Sequence, residues 1–274
     1  MVRIQYASDL HINDWPKGTP FESFITPVAP ILVIAGDICS AWDPLYAHFL
    51  AWCSRNWHLV IVVAGNHEYY CEPGQERTLL QTDYEILRIC VSLQNIKFLQ
   101  NGSSFIVPGT HIRFVGSTLW SDIDPAIWRE IHGKKGDYKA TYIEHYPYGM
   151  RVTHPSDICA VHAFQRAYLL SAFAPVMPNE TLVVVTHHMP SKLLLEDKYK
   201  GERLHSCYAS NDEDLFVNSI SLWICGHSHR ATRMKYPHGP YIVMNARGYN
   251  RVHELQRTED RYNPRATVEL RLKN

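Results

Sequence analysis

The sequence predicts an α/β fold with a mixed β-sheet, and three patterns support this class. Short continuous apolar runs, typical of strands covered on both faces, recur at 31–35, 59–64, 181–186 and 221–225. Segments of helical length lie between several of these runs, as expected when strands and helices alternate. Asn-Gly and Pro-Gly pairs separate three short strands near the middle of the chain, and such turn pairs favour antiparallel pairing. The predicted sheet therefore contains both parallel and antiparallel strands.

The remaining elements follow from local patterns. Helices are predicted over 45–52, 75–93 and 156–173, with a short one at 212–219. Further strands are predicted at 2–7, 96–99, 104–107, 112–115, 241–245 and 268–272. The second helix is amphipathic, and its apolar side is predicted to consist of Leu79, Leu80, Tyr84, Leu87, Ile89 and Val91. The third is predicted to have Ser156 as its N-cap and Asp157 in its first turn.

Composition limits the classes of protein to which the chain can belong. Its 274 residues, 46% of them hydrophobic, suit one domain over 1–274 with an insertion at about 121–155. Lys plus Arg and Asp plus Glu both number 27, which argues against binding of long nucleic acids. The 7 cysteines are odd in number and form no Cys-x-x-Cys pair, so we expect reduced thiols. Without a signal-like or membrane-spanning run, we expect a cytoplasmic protein with no membrane partner.

Five predicted strands end in side chains that bind metals. These side chains are Asp9 and His11, Asp37, Asn66 and His67, His187, and His227 and His229. The chain has 16 histidines, and neutral imidazole is the commonest metal ligand in proteins. Considered alone, each of these side chains has an ordinary structural explanation. Asp9 could cap a turn, Asn66 could adopt a left-handed conformation, and His187 could be a hydrogen-bonded core residue. Because ligands of α/β sheets bind beyond the carboxyl ends of the strands, the five ends together predict one metal site.

The same residues carry a resemblance to a known family. Their blocks, in order, are Asp9-Leu10-His11, Gly36-Asp37, Gly65-Asn66-His67-Glu68, His187 and Gly226-His227-Ser228-His229. This series resembles the calcineurin-like metallophosphoesterase superfamily. The segments at 65–70, 117–122, 186–191 and 245–249 are similar to bacterial-type phosphohydrolases of undefined substrate.

The resemblance implies a fold and a metal centre. The fold is a four-layer αββα sandwich of two mixed β-sheets flanked by helices. The centre holds two ions of Mn, Fe or Zn, a choice consistent with imidazole and carboxylate ligands. By position, the resemblance assigns the ligands of the first ion as Asp9, His11, Asp37 and His229. The ligands of the second ion are assigned as Asp37, Asn66, His187 and His227. Asp37 is then the bridge, and a hydroxide generated by the ions attacks the phosphorus.

The resemblance also assigns His67 as the general acid that protonates the leaving oxygen. The alternative is a hydrogen-bonded structural histidine beside the ligands. Many members have an Asp three residues after the bridging one, where this chain has Ser40. Asp43 or a backbone carbonyl are therefore the remaining candidates to orient the His67 ring.

The expected substrate is a small phosphodiester or a nucleotide-like molecule. Phosphomonoesters, phosphoproteins and a non-catalytic binding role of the same fold are the alternatives. The insertion 121–155 is poor in periodic aliphatic residues and is predicted to form a lid, although an ordinary surface loop or a dimer contact would have the same composition. The aromatic residues expected to contact substrate are Tyr69, Tyr70, Trp120 and Tyr249. His188 is expected to face either the substrate or the metal ligands.

Overall fold

The computed structural model describes residues 1–174, 177, 179–251 and 260–271. Its strands are β1 (Val2–Ala7), β2 (Ile31–Ala35), β3 (Leu59–Val63), β4 (Ile96–Phe98), β5 (Ser103–Ile106), β6 (Ile112–Ser117), β7 (Tyr142–Glu144), β8 (Met150–Val152), β9 (Thr181–Thr186), β10 (Ile220–Cys225), β11 (Ala231–Lys235), β12 (Tyr241–Asn245) and β13 (Thr267–Leu270). Its α-helices are α1 (Pro44–Asn56), α2 (Leu79–Ser92), α3 (Trp128–Ile131) and α4 (Pro155–Ala172).

Most of these strands form two mixed sheets. The first has the order β13-β1-β2-β3-β4, in which β13 is antiparallel to β1 and the other neighbours are parallel. The second has the order β11-β12-β10-β9-β6-β5, with antiparallel strands at both edges and parallel pairs between them. The predicted mixture of parallel and antiparallel pairing is therefore confirmed.

The sheets pack face to face with helices outside. Along β2, Val33 joins an apolar cluster shared with the second sheet, whereas Leu32 and Ile34 join the cluster beneath the helices. Helices α1 and α2 cover the first sheet, and α4 covers the second. Central strands are thus buried on both faces, which explains their uninterrupted apolar sequences. Together with the two mixed sheets, this layering confirms the four-layer αββα sandwich.

Helix α2 turns a different face to the core than its sequence predicts. Leu80, Tyr84, Leu87 and Val91 are exposed, and only Ile89 of the predicted apolar side is fully buried. The buried side instead consists of Thr82, Ile86, Ile89 and Cys90. The prediction was wrong because bulky apolar residues occur on more than one side of this helix, and the face that packs on the sheet includes two smaller side chains.

The start of α4 also differs from the prediction. Its N-cap is His154 rather than Ser156, because the His154 side chain accepts a hydrogen bond from the Ser156 amide. Pro155 occupies the first helical position, where its missing N–H is no loss. Asp157 does lie in the first turn, and its carboxylate accepts a hydrogen bond from the His154 amide.

Other boundaries shift in small ways. Strand β11 is absent from the sequence prediction, and the predicted helix at 212–219 is only a 3-10 turn, Glu213–Leu215. The predicted last strand ended at residue 272, which lies outside the described residues. Among the helices that the structure describes, none combines the length and apolar character that crossing a bilayer requires.

The insertion 121–155, whose sequence is poor in periodic aliphatic residues, contributes side chains to a core that it shares with the rest of the chain. It contains α3 and the hairpin of β7 and β8. Ile127, Ile131 and Tyr138 are buried in the cluster that also contains the inner faces of α1 and α2. Burial of side chains this large contributes roughly 1.5–3 kcal/mol each, so the insertion is an integral part of the fold.

Candidate metal centre

Backbone hydrogen bonds tie together loops that follow the strands of both sheets. In the first sheet, the Asp9 amide donates to the Gly36 carbonyl over 2.9 Å. In the second sheet, the Gly226 amide donates to the His187 carbonyl, also over 2.9 Å. The sheets are joined by the Gly248 amide, which donates to the Asp9 carbonyl over 2.9 Å. The carboxyl ends of the strands of both sheets therefore meet at one place.

Two glycines permit this close approach. A Cβ atom added at Gly65 would lie 2.2 Å from Asp37 Oδ1, and one added at Gly226 would lie 2.6 Å from Asp9 Oδ2. Real Cβ atoms do not tolerate such distances, so any larger residue would displace a carboxylate. These positions explain why glycine precedes the polar residues in two of the sequence blocks.

Five of the seven predicted ligands have left-handed backbone conformations. Their φ angles are 52° at Asp9, 42° at His11, 59° at Asp37, 75° at His227 and 50° at His229. Non-glycine residues rarely adopt this region, and each instance costs about 1–3 kcal/mol. Such strain clusters at sites where the surrounding structure fixes the geometry for a function.

The first predicted group of ligands converges in the structure. Asp9 Oδ1 lies 3.6 Å from His229 Nε2, and His11 Nε2 lies 3.0 Å from the same nitrogen. Asp37 Oδ2 completes the group at 3.8 Å from His11 Nε2. Ligand atoms that share one ion at 2.0–2.2 Å are about 3–3.5 Å apart, so these spacings suit a metal ion.

The second group shares Asp37 with the first. Asp37 Oδ2 lies 3.5 Å from His187 Nε2, which is also 3.0 Å from Asn66 Oδ1 and 3.2 Å from His227 Nδ1. The same carboxylate oxygen of Asp37 therefore faces an imidazole of each group. All seven residues predicted as ligands are brought together at this edge of the two sheets.

Burial sets the charge states of these side chains. It raises the pKa values of Asp9 and Asp37, both almost fully buried, because an ionised carboxylate loses its hydration there. Burial and neighbouring imidazoles lower the pKa values of His187 and His227 to about 3, which keeps both rings neutral. Metal binding needs neutral imidazoles, and a bound cation offsets the cost of burying carboxylates.

Two further contacts hold the ligands in place. His187 Nδ1 donates to the Ala35 carbonyl over 2.8 Å, which leaves the Nε2 lone pair free to face the site. Glu68 is fully buried, and its carboxylate accepts hydrogen bonds from the amides of Asp37, Ile38 and Gly65. Sequence reasoning gave Glu68 no role, although its place directly after His67 in a ligand block was the available signal.

His67 lies at the edge of the metal centre. Its amide donates to Asp37 Oδ1 over 2.9 Å, and its ring packs against His11 and Tyr70. Its Nε2 lies 2.9 Å from the Tyr249 hydroxyl. Burial, followed by the neighbouring imidazoles, lowers the pKa of His67 to about 3.

Asp43, the side chain that the sequence offers to orient the His67 ring, makes a different contact, and so does Ser40. Asp43 caps α1 by accepting a hydrogen bond from the Leu45 amide, and the Ser40 hydroxyl donates to the Tyr70 carbonyl. The side chain that holds the His67 ring is instead Tyr249, from the segment after β12. A spatial neighbour from the far end of the chain leaves no local signal in the sequence around His67.

A cavity of about 650 Å³ opens over the metal centre. The insertion 121–155 contributes Lys135, Gly136 and Asp137 to its wall, and Tyr70 and Tyr249, two of the aromatic residues expected at the substrate, also line it. The opposite wall comes from 195–208, a segment to which sequence reasoning gave no functional role. Its lining residues are Leu195, Tyr199, Glu202, Leu204, His205, Cys207 and Tyr208.

Three residues expected at the substrate lie beneath the cavity instead. Tyr69 and Trp120 are 2% and 1% exposed, and their rings contact each other in the core. The Tyr69 hydroxyl donates to Asp83, which turns it away from the cavity. His188 is also buried, with its ring stacked behind His227 at 4.0 Å between centroids. The structure buries Tyr69 and Trp120 away from the cavity, contrary to the expectation of substrate contact, and packs His188 against the candidate ligand His227.

Comparison with known families agrees with the geometry. The family model described as calcineurin-like phosphoesterase matches residues 2–231. The chain belongs to the calcineurin-like phosphoesterase family. It is therefore a metal-dependent phosphoric ester hydrolase, and its candidate metal-binding groups contain the histidines and aspartates described above.

Relatives of this phosphoesterase include proteins of known and unknown activity. An uncharacterized protein of Acanthamoeba polyphaga mimivirus, L509, is 26% identical over 249 residues, which span 87% of this chain and 83% of that protein. The crystal structure of phosphopantetheinyl hydrolase from Mycobacterium tuberculosis has a TM-score of 0.68 at 19% identity, covering 93% of this chain and 92% of that one. A dimetal phosphatase from Danio rerio has a TM-score of 0.47 at 13% identity, covering 89% and 86%. The mycobacterial structure supports the αββα fold.

Proposed function

We propose that this chain is a dinuclear phosphoesterase that hydrolyses small phosphodiesters or nucleotide-like substrates. The single observation that carries the proposal is the position of Asp37 Oδ2, 3.8 Å from His11 Nε2 and 3.5 Å from His187 Nε2. Asp9, His11, Asp37 and His229 would hold one ion, and Asp37, Asn66, His187 and His227 the other. The mixture of imidazole, carboxylate and amide donors suits Mn, Fe or Zn.

The ions and the side chains around them would have distinct roles in the reaction. When bound, a pair of such ions lowers the pKa of a coordinated water and polarises the phosphoryl oxygens. Asn66 supplies a neutral oxygen donor, which limits the negative charge that faces an anionic phosphate. His67 is at the rim of the centre, where its imidazolium form, which a bound anionic phosphate would favour, can protonate the leaving oxygen and become neutral imidazole. The Tyr249 hydroxyl holds the His67 ring in that position.

The cavity volume of about 650 Å³ is in the range that small-molecule sites have. Its wall carries the cations Lys135 and Arg251 together with the rings of Tyr208 and Tyr249. Cations and aromatic rings of this kind would contact the anionic and planar parts of a phosphate ester. A phosphopantetheinyl substrate, the group named for the mycobacterial hydrolase, belongs in the test panel beside nucleotides and cyclic nucleotides.

Hydrolysis of a generic aryl phosphodiester by the purified protein is the first experiment. We expect activity that is lost on chelation and restored by Mn²⁺, with a smaller rate for the corresponding monoester. Asp37→Asn should lower kcat by about 10²–10³-fold. The substitution weakens the binding of both ions and so reduces their stabilisation of the charge that develops in the transition state. Asp43→Asn removes the same charge from the same connection between β2 and α1 but preserves the cap of α1, so it should retain wild-type activity. Full activity of Asp37→Asn without bound metal would contradict the proposal.

A further inference from the structure

A hydrogen-bonded triangle joins the insertion 121–155 to one of the candidate ligands. Asn66 Nδ2 donates to Asp137 Oδ1 over 2.8 Å and to the Tyr70 hydroxyl over 3.0 Å. The Tyr70 hydroxyl donates in turn to the same Asp137 oxygen over 2.6 Å. Asp137 therefore accepts from both partners, and every side of the triangle is a normal hydrogen bond.

The triangle fixes which way the Asn66 amide points. The Asp137 oxygen that accepts from the Tyr70 hydroxyl also accepts from Asn66, and an acceptor oxygen selects the NH₂ group of the amide rather than its carbonyl oxygen. The amide oxygen is then turned to the opposite side, where it lies 3.0 Å from His187 Nε2. That side is the second candidate metal position, where an amide oxygen binds a cation and an NH₂ group cannot.

We propose that Asp137 is a positioning residue that presents the Asn66 amide oxygen to the second metal ion, so that the insertion controls occupancy of that position. The inference rests on the proposed dinuclear function. This role differs from that of a lid. A lid affects substrate binding, whereas here the insertion affects metal binding as well.

The local structure holds Asp137 where this role requires it. Its backbone carbonyl accepts hydrogen bonds from the hydroxyls of Thr141 and Thr153, which flank the hairpin of β7 and β8 and are both buried. The preceding residue is Gly136, and a Cβ atom there would lie 2.5 Å from the Tyr70 hydroxyl. Glycine thus allows the insertion to approach Tyr70 closely enough to close the triangle.

Titration of the metal-free protein with Mn²⁺ tests the role directly, with bound metal counted per chain and the electron paramagnetic resonance of the ion pair recorded. We expect the wild type to bind two ions. Asp137→Asn offers an NH₂ group as well as an oxygen, so the Asn66 amide loses its fixed orientation. Affinity for the second ion should fall about 10–100-fold, as is usual when a group that orients a metal ligand is lost, while the first ion binds as before.

Asp124→Asn is the matched control. It removes the same charge from the same insertion, but Asp124 is exposed and only caps a 3-10 turn, a role that Asn also fulfils. It should bind both ions with wild-type affinity. If Asp137→Asn and Asp124→Asn bind the second ion with equal affinity, the inference is overturned while the dinuclear proposal stays intact. A wild type that binds fewer than two ions would instead contradict the proposed function.

Exchange of the two side chains distinguishes positioning from a general structural role. Asn66→Asp alone places two carboxylates within hydrogen-bond distance, whereas Asn66→Asp with Asp137→Asn restores one donor and one acceptor. In a double-mutant cycle, the affinity for the second ion should therefore show favourable coupling of about 10-fold. If the effects of the two substitutions on this affinity simply multiply, Asp137 only maintains the fold. The same conclusion follows if Asp137→Asn binds neither ion and has lost its thermal unfolding transition.

Discussion

At the scale of single residues, Glu68 shows how a buried acceptor can hold a metal centre together. Its carboxylate accepts three backbone amide hydrogen bonds from the loops that carry Asp37 and Gly65. Those amides are buried, so their hydrogen bonds must be made within the protein. Burial raises the pKa of Glu68 to about 7, against the opposing effect of the three donors.

Substitution of Glu68 should therefore cost stability in proportion to the acceptors that are lost. Each buried N–H left without a partner costs about 1–3 kcal/mol. We expect Glu68→Ala to lower the free energy of unfolding by roughly 3–5 kcal/mol and Glu68→Gln, which keeps one oxygen, by roughly 1–3 kcal/mol. Urea unfolding of the metal-free proteins measures both. An unchanged midpoint for Glu68→Ala would show that the amides find other partners.

The role of His67 has a distinct kinetic signature. If the imidazole protonates the leaving oxygen, His67→Ala should reduce kcat about 10²–10⁴-fold for an alkyl ester and far less for a nitrophenyl ester, whose leaving group needs little protonation. Tyr249→Phe should show the same trend with a smaller loss, since it removes the hydroxyl that holds the ring. Equal losses for both kinds of leaving group would indicate a structural histidine.

Asp83 provides a prediction of pH dependence away from the metal centre. It accepts a hydrogen bond from the Tyr69 hydroxyl over 2.6 Å, and burial raises its pKa from 3.8 to about 6. The folded state therefore disfavours the ionised carboxylate. This penalty is complete above about pH 6 and vanishes below 3.8, where the side chain is protonated in both states.

We accordingly expect Asp83→Asn to be more stable than the wild type at pH 8, by on the order of 1–3 kcal/mol. The difference should shrink as the pH falls from 6 to 4. Chemical unfolding at pH 8, 6, 5 and 4 measures it, and the wild type under the same conditions corrects for other titrating groups. A difference that is independent of pH would show that Asp83 titrates normally.

At the scale of elements, two segments that sequence patterns describe poorly form the cavity. The insertion 121–155 and the segment 195–208 face each other, and Lys135 Nζ donates to the Tyr208 hydroxyl over 3.1 Å. Strand-forming runs are recognisable because burial on both faces demands apolar residues throughout. Cavity walls have mixed polar and apolar sequences with no period, so only the spatial arrangement identifies them. For the same reason, the buried face of α2, with Thr82 and Cys90, was not predicted.

Lys135 should contribute to substrate binding more than to chemistry. We expect Lys135→Gln to raise KM several-fold for anionic substrates, with little change in kcat, because the charge of Lys135 lies in the cavity wall. The effect should be seen at low salt, since dissolved ions screen this charge. Lys134→Gln removes the same charge from the adjacent exposed position and is the control. If both variants raise KM equally, the effect comes from net charge rather than from the cavity.

At the scale of the whole molecule, the α/β class, the mixed pairing and the position of the ligands at strand ends could be predicted from the residues themselves. The division of the strands between two sheets could not, because strands of both sheets have the same apolar runs. It followed from the family resemblance, and packing explains it: Val33 of β2 and Val183 of β9 share one apolar layer between the sheets.

The site shows a similar division. The seven candidate ligands are recognisable because each lies within about four residues of the end of a strand. Asp137 and Tyr249 come from segments far away in sequence, and only the fold shows that they contact Asn66 and His67. Groups that orient ligands have no required spacing from them, so sequence patterns around the ligands do not reveal them.

The central claim is a pair of metal ions bridged by Asp37, and X-ray diffraction from crystals of the Mn²⁺-loaded protein at the manganese absorption edge tests it most directly. We expect two anomalous peaks about 3.5–4 Å apart. The Asp37 carboxylate should lie between them, with Asp9, His11 and His229 around one peak and Asn66, His187 and His227 around the other. A single peak in the saturated protein, or two peaks that do not share Asp37, would contradict the account.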